Sequence, residues 1–140
     1  MLSPSGRCKP LDAGADGYAR GEAVMCVQLC GQQRRSGPVS GVASVLGSAV
    51  LQDGRSSSLT APYGPSQQEA VLSALRPAAL QPAKLGAMQL HGTGTALGDP
   101  IEVGALLSLA ALDAGSGPPL SLQACKASYA HSEAAAGIVG

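Results

Sequence analysis

Two histidines are the only imidazoles in this chain, and they stand in comparable places. His91 opens the run His91-Gly92-Thr93-Gly94-Thr95-Ala96-Leu97-Gly98-Asp99-Pro100, and His131 follows Cys125-Lys126-Ala127-Ser128-Tyr129-Ala130. A short apolar stretch precedes each one, and a helix-start pattern follows. Side chains at strand ends of an α/β unit face the cleft where such folds hold ligands. An imidazole there can move a proton or donate an N–H to a developing oxyanion. The glycines at 92, 94 and 98 free the backbone, so amides can approach a ligand closely. On spacing alone, a catalytic and a structural role for the two histidines stay equally open.

Other chemistries fit less well. A dinucleotide loop needs Gly-x-Gly-x-x-Gly, whereas the spacing here is Gly92-x-Gly94-x-x-x-Gly98. The acid about 20 residues on, Asp113, ends a helix pattern and not a second strand. Four cysteines (Cys8, Cys26, Cys30, Cys125) show no CxxC pair and no close Cys/His set, which argues against zinc. Without a secretory signal they form no disulfide framework. Cys26 and Cys30 lie four apart in an apolar run, and the expectation is one strand face with small buried side chains.

The elements that must position the histidines read as follows. Residues 1–22 form an ordered polar loop. Residues 23–30 have strand length and composition, and 39–51 suggest a strand with a bulge near Gly47. Ser66-Gln67-Gln68-Glu69 has the pattern of a capping box opening a helix that Pro77 ends or kinks. Ala87 to Leu90 is a strand leading into His91. Asp99, Pro100 and Glu102 occupy the N-cap, N1 and N3 positions of a second helix, with Val103, Leu106, Leu107, Ala110 and Ala111 as its apolar stripe and Gly115 as its stop. Leu120 to Ala124 is a further strand, and an Ala-rich helix starts at Ser132. Strands alternating with helices predict an α/β fold.

Composition bounds the remainder. The 140 residues carry nine basic and nine acidic side chains, for a formal charge of zero. Nucleic acid and anionic membranes are therefore not partners by bulk electrostatics. No apolar run approaches the roughly 18 residues of a membrane span, so the chain reads as cytoplasmic. Phe and Trp are absent and only three Tyr are present. A core so rich in Ala and Leu buries little area per residue, which predicts a piece of a larger body.

Taken in order, the motifs are Gly6-Arg7-Cys8-Lys9-Pro10, Asp16-Gly17-Tyr18-Ala19-Arg20-Gly21-Glu22, Gly47-Ser48-Ala49-Val50, Gln52-Asp53-Gly54-Arg55-Ser56-Ser57, Leu59-Thr60-Ala61-Pro62, His91 to Glu102, and Lys126 with His131-Ser132-Glu133-Ala134-Ala135-Ala136-Gly137. In this order they resemble the ketosynthase domain of polyketide synthases and type I fatty acid synthases, in the β-ketoacyl synthase family. The resemblance implies a thiolase-like fold, with residues 1–36 ending its N-terminal half and 37–140 forming a truncated C-terminal half. It implies decarboxylative Claisen condensation of acyl and malonyl-type thioesters. His91 and His131 would donate to the extender's thioester carbonyl, Lys126 would orient and polarise the second histidine's surroundings, and Thr93 and Thr95 would line the phosphopantetheine tunnel. No cofactor or metal is bound directly, because the phosphopantetheine belongs to acyl carrier protein. The implied partners are acyl carrier protein, the rest of the ketosynthase and, in the whole domain, a second copy. The family's nucleophilic cysteine maps upstream of Gly6, outside this sequence, so the chain alone is expected to be inactive.

This sequence also departs from the family. Its Lys-x-Asn-x-Gly-His motif reads Lys126-Ala127-Ser128-Tyr129-Ala130-His131. Leu51 replaces an Asn, Ala23 replaces a Gly, and Pro77 interrupts a continuous helix. If the replaced glycine before His131 uses positive φ, Ala130 costs roughly 1 kcal/mol and displaces the ring.

Overall fold

A parallel pair of three-residue strands lies at the centre of the chain. In the computed structural model, which describes residues 2–31, 43–54, 56, 61–111 and 117–140, β1 (Ala87–Gln89) pairs with β2 (Ser121–Gln123). Ala87 faces Ser121, Met88 faces Leu122 and Gln89 faces Gln123. The ladder continues at both ends, where the Ser121 N–H donates to Gly86 O (3.0 Å) and the Leu90 N–H to Gln123 O (2.8 Å). Leu90 is almost wholly buried just before His91. Parallel strands need a crossover, and α2 (Gly98–Ala111) lies in that connection. The α/β reading thus holds where the two histidines are.

The helix α1 (Gly64–Leu75) packs against α2, and Ala105 lies 3.8 Å from the position a Cβ on Gly64 would take. The expected capping box is not formed. Pro65, with its fixed φ and no N–H, suits a first turn, so the helix starts ahead of Ser66 and places that residue inside it. Ser66 donates instead to Gln52 O (3.4 Å), and Glu69 pairs with Arg76 (2.9 Å). Pro77 does end the helix: α1 stops at Leu75 and a 3-10 turn covers Arg76–Ala78.

The apolar stripe of α2 is rotated from its sequence position. Ala105, Leu106 and Leu109 are buried, whereas Leu107 is 57% exposed and Ala111 is exposed too. Packing against α1 and the Pro82–Lys84 turn selects this face, and a helix with apolar residues on most sides has no strong preference of its own. The expected stop at Gly115 lies outside the described residues.

Two expected strands are not formed. Residues 22–31 have no regular structure and are exposed throughout, with Val24 97% accessible. Residues 43–51 are likewise irregular, with Val50 92% accessible; 39–42 lie outside the described residues. A strand is a pairing, and no neighbouring strand meets these segments among the described residues. Cys26 and Cys30 are therefore exposed and share no buried strand face, while Cys8 is buried. All four cysteines are free thiols.

The loop before residue 22 is ordered by contacts along its length. Leu2 bridges Tyr18, Arg20 bridges His131, and Asp16 accepts from both Ser3 Oγ and Lys9 Nζ at 2.6 Å. After β2 come α3 (Lys126–Tyr129), a 3-10 turn (Glu133–Ala135) and α4 (Ala136–Val139), two short turns where one helix was expected.

The rotated stripe separates two neighbours that the sequence treats alike. Leu106→Ala should cost about 2–4 kcal/mol and Leu107→Ala under about 0.5 kcal/mol, read as shifts in the urea midpoint. Equal losses would return the stripe to its sequence position.

Candidate functional site

Asp99 in the first turn of α2 and Glu102 one turn further along both turn back onto the glycine loop. The Asp99 carboxylate is buried (4% exposed) and accepts the backbone N–H groups of Gly94 (3.2 Å), Thr95 (3.3 Å) and Leu11 (3.0 Å). Glu102 accepts from the backbone N–H of His91 (2.6 Å) and of Gly92 (2.9 Å). Neither residue therefore plays its expected part in a cap. The helix opens at Gly98, whose N–H donates to Thr95 Oγ1 (3.2 Å), so Thr95 supplies the cap. Asp99 and Glu102 are the site residues that sequence reasoning missed. Their spacing was visible, but it fits a capping pattern equally well.

Glycine is required at 94. Its φ is +80°, and a Cβ would come within 2.5 Å of the Lys9 backbone nitrogen, where the 8–17 loop presses against the histidine loop. The Gly17 N–H donates to Gly94 O (3.0 Å) across the same contact. His91 is thus fixed at its backbone from two sides.

His131 is held differently. Its N–H donates to Ala19 O (2.8 Å), and its carbonyl accepts from the Gly21 N–H (2.9 Å). The Glu133 N–H donates to Nδ1 of the ring (3.0 Å). The ring centroids of Tyr18 and His131 are 5.4 Å apart. His91 approaches from the other loop, with ring centroids 5.3 Å apart at an interplanar angle of 84°. Two histidines 40 residues apart in sequence thus share one small volume.

Lys126 is buried to 4% exposure, and its side chain has no hydrogen bond or ion pair to another described residue. Although His91 keeps part of its surface open, partial desolvation holds its pKa below the ordinary histidine value, and the Lys126 charge adds to that lowering. Glu102 and Asp99 oppose it. Thr93 is buried, and its hydroxyl makes no hydrogen bond to another described residue. Thr95 lines a cavity of about 420 Å³ with Leu11, Ala15, Ala96, Asp99 and Val103. Among the described residues no three His, Cys, Asp or Glu side chains cluster to hold a metal ion.

Ala130 has φ +59° and ψ −168°, backbone that glycine adopts freely and other residues do not. The condition for strain at the Gly-to-Ala departure is met. The ring of His131 nevertheless keeps its contacts to Tyr18, His91 and Glu133.

Residues 42–140 match the family described as Beta-ketoacyl synthase, C-terminal domain. The chain belongs to the β-ketoacyl synthase family. Over 99% of its length it is 49% identical to mycoketide-CoA synthase of Mycobacterium tuberculosis and 44% identical to erythronolide synthase EryA3 of Saccharopolyspora erythraea. It spans only 3% and 4% of those two proteins. Among solved structures, the oxazolomycin ketosynthase domain OzmH KS7 of Streptomyces albus superposes with a TM-score of 0.80 at 30% identity. The ketosynthase of module 6 of the bacillaene synthase of Bacillus subtilis gives 0.80 at 29%. The chain covers 24% and 25% of those two ketosynthase chains. The fold is therefore thiolase-like, and the chain is a C-terminal ketosynthase segment. The expected division between residues 36 and 37 lies outside the described residues. Among the described residues no helix is long and apolar enough to cross a membrane.

Two measurements probe this site. By NMR, His91 should titrate below the ordinary histidine value; Lys126→Met should raise its pKa and Glu102→Gln should lower it further. Because the folded pKa is depressed, the unfolded chain takes the proton first. Stability from neutral His91 is intact above about pH 6.5 and is lost as pH falls below it. Relief of strain by Ala130→Gly should raise stability by about 1–3 kcal/mol, seen as a higher urea midpoint. An unchanged midpoint would mean that Ala130 is not strained.

Proposed function

We propose that this chain supplies the paired-histidine part of a condensing ketosynthase active site. The observation that carries the reading is the contact of His91 and His131, brought together from two separate strand-to-helix junctions. Rings this close can each offer an N–H to one thioester carbonyl oxygen of a malonyl-type extender. As the bond to the carboxylate breaks, carbon dioxide leaves and its electron pair passes into the enolate, whose oxygen the two donors stabilise. The enolate carbon then attacks an acyl thioester held on a cysteine and expels that thiolate. Lowering of the His91 pKa favours the neutral imidazole, which can donate an N–H without giving up a full proton.

Lys126 lies beside this volume and would assist charge development there. Thr93, whose hydroxyl makes no hydrogen bond to another described residue, suits the phosphopantetheine arm of acyl carrier protein. Thr95 is already engaged at the start of α2, so its part there is secondary. None of the four cysteines stands in the nucleophile context of the family, and the chain by itself is inactive in this reading. Its partners are acyl carrier protein and the remaining ketosynthase segment, within a homodimeric cytoplasmic synthase. Support for the segment comes from the exposed apolar stretches 22–31 and 43–51, which have the composition of strands and meet no neighbouring strand among the described residues. A second reading, a piece that complements a separate chain without catalytic duty, rests on those same stretches.

The test fuses this chain to a matching N-terminal ketosynthase segment. His91→Ala should lower carbon dioxide release from malonyl thioester about 100- to 1000-fold while acyl loading of the cysteine persists. Loss of loading with decarboxylation spared would reverse the assignment. No change in either step would make His91 structural and favour the second reading.

A further inference from the structure

A second cavity, of about 100 Å³, lies among α1, α2 and β1 and shares no lining residue with the candidate site. Val71 of α1, Met88 of β1 and Leu106, Leu109 and Ala110 of α2 form its walls. Pro82 and Ala83 of the following turn, with Gly117 and Pro118, complete them. The origin of the gap is legible in the composition. The chain has no Phe or Trp, and the small residues Ala83, Ala110 and Gly117 stand on three of the walls, so no large ring fills the space between them. Two of those walls can move no nearer to each other. Gly117 already lies so close to the carbonyl oxygen of Ala83 that a Cβ there would collide with it.

We infer that this cavity is a binding site for a small molecule without hydrogen-bonding groups, of the class of xenon and the short alkanes. Among the described residues no lining side chain carries an oxygen or nitrogen, and the one heteroatom is the polarisable sulfur of Met88. An ordered water needs roughly two to four polar partners, whereas apolar cavities of about 150 Å³ stay dry and take benzene or xenon. At about two-thirds of that size, this cavity suits a single heavy atom or a short chain better than a ring. Its rim at Gly117 and Pro118 is exposed, which gives a guest its way in. Binding supplies the dispersion contacts that the lining forfeits to a void. Because the walls come from α1, α2 and β1, they exist only in the folded chain, and a guest held there stabilises the fold. Nothing in this passes through His91 or His131, so the site stands whether or not the proposed function does.

The chain has three methionines, Met1, Met25 and Met88, and they make a direct test. With isotope-labelled methionine methyl groups in the 140-residue chain, dissolved xenon should shift the Met88 signal along a saturating curve. Met25 is exposed on the irregular stretch 22–31 and should show only a linear drift with gas pressure. Free xenon at its dissociation constant should raise the folding equilibrium constant about twofold, read from urea curves. Ala110→Leu and Ala83→Val fill the space from opposite walls, and each should abolish the saturable shift. Ala83→Val is the smaller change and carries this arm if Ala110→Leu disturbs the packing. Leu107→Ala, on the exposed face of α2, should leave the shift intact. A Met88 shift that never saturates, or one that Met25 matches, overturns the proposal, and so does a bound water in contact with the Met88 methyl. Persistence of the saturable shift in a filled variant would place the guest elsewhere and overturn it as well.

Discussion

The buried carboxylate of Asp99 is the interaction on which the site rests. Three backbone N–H groups from two separated parts of the chain end on it, and a glycine loop with few side chains has little else to define its shape. A carboxylate is suited to this because its two oxygens accept several donors at once, and each unmet amide in a buried place is costly. Glu102, one turn further along α2, repeats the device on the His91 and Gly92 amides. The helix thus does two jobs. Its far end packs through Leu106 and Leu109, and its first turn serves as a template for the loop that precedes it.

How much of this was legible in the sequence depended on whether a neighbour was needed to decide it. Strands over Ala87 to Leu90 and Leu120 to Ala124, the helix end at Pro77 and the ordered polar loop before residue 22 follow from local composition, and the structure agrees to within a residue at each strand end. The face of α2 did not follow, because Val103, Leu106, Leu107 and Leu109 are alike in polarity and packing against α1 and the Pro82–Lys84 turn chooses between them. The run from Ala23 to Cys30 has the composition of a strand without a strand's neighbour. Its sequence states a preference that a pairing partner must complete.

The site shows the same division. His91, His131, Lys126 and the two threonines could be named from motif order, and the two rings do meet. The parts of Asp99 and Glu102 could not, because acids in the first turn of a helix fit a cap as well as a loop template, and the difference is where the side chain turns. The contact of the Glu133 N–H with the His131 ring was hidden for another reason: it is made by the backbone, and sequence has no sign for that. Ala130 was the reverse case, since the residue expected there was glycine and the departure pointed to positive φ in advance.

The hydrogen bond from Leu11 to Asp99 joins residues 88 positions apart, and this has a consequence for how the chain acquires its shape. Local turns and helices can form as soon as their own residues are free to do so, whereas a contact of this span must first close a long loop and offset its entropy. His131 and Ala19 are more distant still. The histidine pair therefore takes its final geometry among the last events of folding, after both helices exist, and it is the first part to loosen when the N-terminal loop detaches. A nick within the irregular residues 22–31, between Leu11 and α1, would turn that closure into a meeting of two molecules. Assembly of the site would then depend on concentration, while α1, α2 and the strand pair stayed largely as they are.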